Sequence, residues 1–243
     1  MPFTGNYPAA LAGLQERLAQ LQLAQIVHAK RALIIFEGPS GSGKKDALRP
    51  ITAALDPCHF ATHSVGDARD EGRHWLAPFW NALPATGSTA IFYHGWYRRL
   101  VAERVQRRVG DKAWSRACDE INEFEAQQHD HDTIIVKLYF HTTANVRAAR
   151  IRERGDDPWR RHLPPQDEAI DEADRARTIE VLQDLFALTD TRWAPWRIVD
   201  AGDGRAAQLA ALTMVTDALA KAIPAQPPAT AEKVVPIRLQ KSA

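Results

Sequence analysis

The sequence predicts an α/β fold in which five parallel strands carry helices on both faces. Three observations lead there. Short, β-branched apolar runs alternate with longer helical stretches, the order produced when each strand is followed by a crossover helix. The first run, RALIIFEG, is continuously apolar, as a strand buried on both faces requires. It opens directly into GPSGSGKKDALRPITAAL, a glycine-rich turn that enters a helix.

The elements follow in order. Residues 8–30 read as one amphipathic helix, with Leu11, Leu14, Leu18, Leu21 and Ile26 at helical spacing. After the first strand, loop and helix, HFATHSV (59–65) supplies a second strand, followed by a polar loop and the aromatic-rich WLAPFWNAL. STAIFYHGW (88–96) is the third strand, and one long charged helix is expected over 97–128. TIIVKLYFH (133–141) is the clearest strand, being β-branched and aromatic. An arginine-studded helix over 143–154 precedes a polar interruption. The helix TIEVLQDLFAL, the strand WRIVDAG and a helix over 205–222 complete the domain. The segment 224–243 is rich in proline and has little periodicity, so it reads as a disordered tail or a docking arm. The expected organisation is therefore an N-terminal helix (1–30), a phosphate-loop domain (31–223) and that tail. No internal repeat is visible.

Composition narrows the function classes. With 243 residues, 45% hydrophobic and 25% charged, the chain is long and apolar enough for a packed core, which excludes wholesale disorder. No run of about 18 apolar residues offers a membrane span. The first residues lack the basic start and apolar stretch of a signal peptide, so a cytoplasmic protein is expected. Cys58 and Cys118 cannot by themselves build a disulfide framework or a zinc site. A net charge of +1 argues against a polycationic DNA or membrane binder. An anionic ligand must then be recognised by where charge is placed.

Gly38-Pro39-Ser40-Gly41-Ser42-Gly43-Lys44 has the spacing G-x-x-x-x-G-K, between a buried strand and a helix, where a phosphate-binding loop belongs. Its glycines let backbone N–H groups turn toward phosphate oxygens, the helix N-terminus adds its positive end, and Lys44 adds a full charge. Position 45 is Lys, where P-loop proteins commonly place a magnesium-binding hydroxyl.

Taken with FEGPSGSGKKDALRPI, LDPCHF, WLAPFWNALPATGSTAIFYHGWYRRLVAERV, DEINEFE, VKLYFH and TDTRWAPWRIVDAGD, in that order, the chain resembles the polyphosphate kinase 2 family over roughly 31–220. That resemblance implies a P-loop kinase-like sheet with a mobile lid, here about 155–178. It also implies phosphoryl transfer between inorganic polyphosphate and a nucleoside mono- or diphosphate, with Mg²⁺ as cofactor and a homo-oligomeric state. Lys44, Arg99, Arg160 and Arg161 are the catalytic candidates it marks. Gly38, Gly43, Lys44 and Arg49 match its phosphate-binding positions, and Ser40, Gly41, Ser42 and Lys45 complete the phosphate-binding candidates from the loop itself. Asp67, Glu71, His94, Glu103, Asn122 and Glu125 are substrate-contacting or supporting candidates.

The chain also departs from the family's pattern. Ser40 stands where the family's loop carries aspartate. Tyr93-His94-Gly95-Trp96-Tyr97 stands where its third strand ends Asp-Arg-Ser-Trp-Tyr, so Tyr93 replaces a second aspartate and His94 an arginine. These carboxylates are the ones expected to position Mg²⁺, and no metal ligand is assigned in their place. Asp46, Asp67, Asp70 and Glu71 are the nearby acidic substitutes. Two other readings therefore stay open: a non-catalytic protein that binds polyphosphate or nucleotide, and an ATP-dependent small-molecule kinase.

Other polar groups carry weaker signals. Residues 145–161 hold six arginines and three acids. Arg147, Arg150 and Arg152 divide between a solvated helix face and phosphate contact, whereas Arg160 and Arg161 sit in a proline-bounded loop that favours contact. His129-Asp130-His131-Asp132 reads as a polar turn ahead of metal ligation. Trp75, Trp80, Trp96 and Trp193 read as core.

Overall fold

In the computed structural model, which describes residues 3–65, 74–162 and 175–228, five strands form one parallel sheet in the order β2-β3-β1-β4-β5. The strands are β1 (Arg31–Glu37), β2 (Phe60–Ser64), β3 (Thr89–His94), β4 (Thr133–His141) and β5 (Trp196–Asp200). Central β1 pairs with β3 on one side and with β4 over its whole length on the other. Alternate residues of β1 therefore serve two cores. Ala32, Ile34 and Phe36 pack under α1 (Tyr7–Val27), α2 (Lys44–Thr52) and α8 (Gly204–Ala222). Leu33 and Ile35 pack under α3 (Ala77–Trp80), α4 (Tyr97–Val105), α5 (Asp111–Asp130) and α7 (Arg175–Thr189). The remaining helix, α6 (Ala144–Asp156), leads into a short 3₁₀ turn, Arg160–His162.

The charged stretch over 97–128 is not one helix. It divides into α4 and α5 because Arg107 adopts a left-handed conformation (φ 55°) just past α4. The Arg108 N–H donates to the Glu103 carbonyl at 2.8 Å, and the Arg107 N–H to the Arg104 carbonyl at 3.2 Å. This pair of bonds is a Schellman closure with arginine in the position glycine usually takes. The same closure ends α1 at Val27, ahead of the expected residue 30: Lys30 N–H donates to Gln25 and Ala29 N–H to Ile26, with Ala29 at φ 53°. Neither stop carries a glycine, so periodicity runs straight through both.

Trp80 is a second correction. It is 43% exposed, its ring in a T-shaped contact with Phe124, while Trp96 and the half-buried Trp75 and Trp193 join the second core. The helix-terminal run His129-Asp130-His131-Asp132 ends α5, and Asp132 (φ 61°) pairs with Lys30 at 2.5 Å. Among the described residues no helix is long and apolar enough to cross a membrane. Half of the expected lid and most of the tail, together with Asp67, Asp70 and Glu71, lie outside the described residues.

Candidate active site

The loop between β1 and α2 crosses the carboxyl end of the sheet, beside the strand where chain connections change direction, which is where open α/β sheets bind ligands. Gly38 (φ 139°) and Gly41 (φ 73°) make the turn, and both are crowded. A Cβ on Gly38 would lie 2.8 Å from the Phe140 carbonyl oxygen, and one on Gly41 would lie 2.9 Å from that of Arg147. Only glycine meets both the left-handed conformation and the close approach. The Ser42 N–H donates to the Pro39 carbonyl at 3.2 Å. Among the described residues no backbone carbonyl accepts from the N–H of Gly41 or Gly43. Those amides and the N-terminus of α2 face the same end of the sheet, an arrangement suited to phosphate oxygens.

Lys44, the first residue of α2, is 2% exposed. Its Nζ donates to the Gly38 carbonyl at 2.6 Å and lies 5.1 Å from the centroid of the Tyr93 ring. The ammonium thus closes the loop on itself, with an aromatic face where the family's carboxylate would stand. Ser40 and Ser42 are buried, and Ser42 Oγ has no hydrogen-bond partner among the described residues. Lys45 and Arg49 are exposed on α2, one turn apart. His94 is buried at the end of β3, its ring 4.4 Å from that of Tyr93.

The loop's surroundings are completed by Glu37, which the sequence did not single out, and by the arginines of α6. Glu37, the last residue of β1, is buried, and its Oε1 accepts the Gly95 N–H at 2.9 Å. The arginines of α6 address the loop's backbone. Arg147 Nε donates to the Ser40 carbonyl at 3.2 Å, and Arg150 Nη1 donates to those of Gly41 (3.3 Å) and Ser42 (3.1 Å). Neither half of the sequence reading, a solvated face or a direct phosphate contact, describes those bonds.

The remaining candidates separate. Arg99 and Glu103 pair with each other along α4 at 2.9 Å, and Arg99 also lies over the Trp75 ring. Asn122 Nδ2 donates to the Leu188 carbonyl, joining α5 to α7. Glu125 is fully buried, where no dissolved substrate reaches it, so its contribution is support. Its Oε1 accepts from Trp96 Nε1 (3.1 Å) and the Tyr97 hydroxyl (2.5 Å), and its Oε2 is 2.9 Å from Lys137 Nζ. Burial pushes the Glu125 carboxyl up and the Lys137 ammonium down, and each partner pulls the other back. Arg160 and Arg161 stand exposed beyond α6. Arg160 Nε lies 3.6 Å from Asp157, whose carboxylate accepts the N–H groups of Trp159 and Arg160 and is thereby held below the usual range.

A carboxylate-built magnesium site does not fit the described donors. Ser40 and Tyr93 offer no charge, Glu37 is a single carboxylate with one oxygen given to the Gly95 N–H, and among the described residues no three His, Cys, Asp or Glu side chains cluster.

A strand that opens through a glycine loop onto a lysine-led helix, in a parallel sheet flanked on both faces, defines a P-loop kinase-like protein. Comparison with known proteins makes the assignment specific: the pattern of Polyphosphate kinase 2 (PPK2) matches residues 4–227, and the chain belongs to that family. It is similar to the polyphosphate:AMP phosphotransferase of Pseudomonas aeruginosa, 30% identical over 215 residues, covering 88% of this chain and 43% of that protein. It is equally similar, at 30% over 222 residues, to ADP-polyphosphate phosphotransferase 2 of Rhizobium meliloti, covering 90% of this chain and 71% of the relative. The crystal structure of polyphosphate kinase 2 from Arthrobacter aurescens superimposes with a TM-score of 0.79 at 25% identity, covering 90% of this chain and 81% of that one. The chain spans less than half the length of the Pseudomonas enzyme.

Proposed function

We propose that this protein moves a phosphoryl group between inorganic polyphosphate and a nucleoside mono- or diphosphate, with the 38–44 loop as the phosphate grip. The observation that carries the reading is the buried Lys44 at the mouth of a loop whose Gly41 and Gly43 amides have no backbone acceptor among the described residues, in a chain of this family. Phosphoryl transfer asks a protein mainly to align the groups and to spread stabilising charge over the equatorial oxygens. The loop amides and the α2 N-terminus bind oxygens without a proton to give up. Lys44 exchanges its bond to the Gly38 carbonyl for one to phosphate, which turns a self-closed loop into an occupied one. Arg160 and Arg161 have planar donor forks suited to phosphate, and on this reading they close over the chain being cut.

Mg²⁺ would neutralise charge on the transferred group in such chemistry. The described residues do not supply a protein-held site for it, so this reading assigns charge neutralisation to Lys44 and the arginines. A homo-oligomer in the cytoplasm is proposed alongside, on family resemblance alone, with light scattering as its check.

The test is ATP formation from ADP and polyphosphate by the purified chain. Turnover within the kinase range of about 1–100 per second, lost in Lys44→Ala, supports the reading. Absence of turnover with retained polyphosphate binding favours the second one, a non-catalytic polyphosphate binder, to which the Tyr93 ring over Lys44 points. ATP-driven transfer without polyphosphate would favour a small-molecule kinase.

A further inference from the structure

We infer that Arg150, assisted by Arg147, is the positioning residue that holds the phosphate loop in its binding conformation from the outside. This rests on the reading of residues 38–44 as the phosphate grip. Three consecutive loop carbonyls, of Ser40, Gly41 and Ser42, accept from these two guanidinium groups at 3.1–3.3 Å. In a planar trans peptide the carbonyl of one residue and the N–H of the next point in opposite directions. Drawing those carbonyls toward α6 therefore turns the N–H groups of Gly41, Ser42 and Gly43 away from it. Ser42 spends its N–H on Pro39 within the turn, and Gly41 and Gly43 are left to meet an anion.

Arg150 does more than close one bond. Its Nη2 also donates to the Gly202 carbonyl at 3.4 Å, ahead of α8, so one side chain spans α6, the loop and the β5–α8 connection. The contact is close on the backbone side as well, since Gly41 sits against the Arg147 main chain and Ile151. A guanidinium is suited to this because its fork reaches several carbonyls at once in a fixed plane, which an ammonium cannot reproduce. Charge-assisted bonds of this kind also stiffen a loop that folding alone leaves glycine-rich and floppy. Arg150 acts through the amides and has no phosphate of its own.

Two measurements on the full chain test this. Hydrogen exchange at the Ser42 amide, which the turn bonds to the Pro39 carbonyl, should accelerate about tenfold or more in Arg150→Ala without ligand, and less in Arg150→Lys. Polyphosphate binding by calorimetry should weaken about tenfold or more in Arg150→Ala, while the slope of log affinity against log salt stays at its wild-type value. Added guanidinium ion should restore part of the affinity. Unchanged exchange in Arg150→Ala overturns the clamp. A salt slope reduced by about one contact overturns it too, by making Arg150 a phosphate ligand. If Arg150→Ala does not fold, Arg147→Gln and Arg150→Lys carry the same exchange comparison. Should the wild type bind no polyphosphate while the exchange result holds, the phosphate reading fails and the clamp stands.

Discussion

Replacing Lys137 by methionine keeps the bulk of the side chain and removes its charge from the core between β4, α4 and α5. Lys137 Nζ is completely enclosed and donates to Glu125 Oε2 (2.9 Å), the Tyr97 hydroxyl (2.9 Å) and the Thr189 carbonyl (2.7 Å), between the rings of Tyr97 and Trp196. Without it, the fully buried Glu125 keeps two neutral donors and loses its counter-charge. Breaking a buried pair from one side typically costs about 3–5 kcal/mol. Removing both charges, in Lys137→Met with Glu125→Leu, should cost less than the single change, because no uncompensated ion remains. Urea denaturation of the wild type, both single variants and the double one forms a double-mutant cycle that reads this directly. The sign with pH is also fixed. Burial already raises Glu125 above its ordinary value of 4.5, and loss of Lys137 raises it further. The unfolded chain ionises first as pH rises, so the Lys137→Met deficit should be small below about pH 4.5 and grow until the raised folded value is passed. A deficit that is flat with pH, or a double variant as unstable as the sum of the singles, would refute the charged-pair reasoning.

Further outcomes concern the loop and the surface. Gly41→Ala puts a methyl into a left-handed position 2.9 Å from a backbone oxygen, so it should cost about 1–3 kcal/mol in thermal or urea unfolding and abolish polyphosphate binding. Ser40→Asp with Tyr93→Asp restores both carboxylates; wild-type polyphosphate binding should be insensitive to EDTA, and the double variant should acquire Mg²⁺-dependent turnover, read by luciferase-coupled ATP formation. The Asp157 carboxyl is held low by two backbone N–H groups, and Asp56 and Asp132 are held low by the Cys58 N–H and by Lys30. Their stabilisation is present above the unfolded carboxylate pKa and is lost as pH falls through the lower folded values, so acid melts should show stability declining from about pH 4 downward.

Much of the fold was written in local pattern. A continuous apolar run marks β1, and β4 is legible from Thr133 to His141, because a doubly covered strand needs side chains apolar on both faces. Lys137 is the exception inside β4, and nothing local indicates that its partner is Glu125 on the preceding helix. Helix ends were the weaker part, since Ala29 and Arg107 take left-handed stops that sequence reserves for glycine. In the site, the spacing of Gly38, Gly43 and Lys44 located the loop. The roles of Glu37, Arg147 and Arg150 were hidden because they depend on which backbone groups α6 and β3 bring within reach. Arg99 and Glu103, marked separately as catalytic and supporting candidates, stand at i and i+4 and pair with each other in the structure.

The most direct check is calorimetric titration of inorganic polyphosphate into the wild type and Lys44→Ala, with Gly38→Ala as a second loop variant. Binding in the wild type that falls at least tenfold in both variants is the expected result. Equal affinity in all three proteins would place the polyanion elsewhere on the molecule and contradict the assignment of residues 38–44 as its grip.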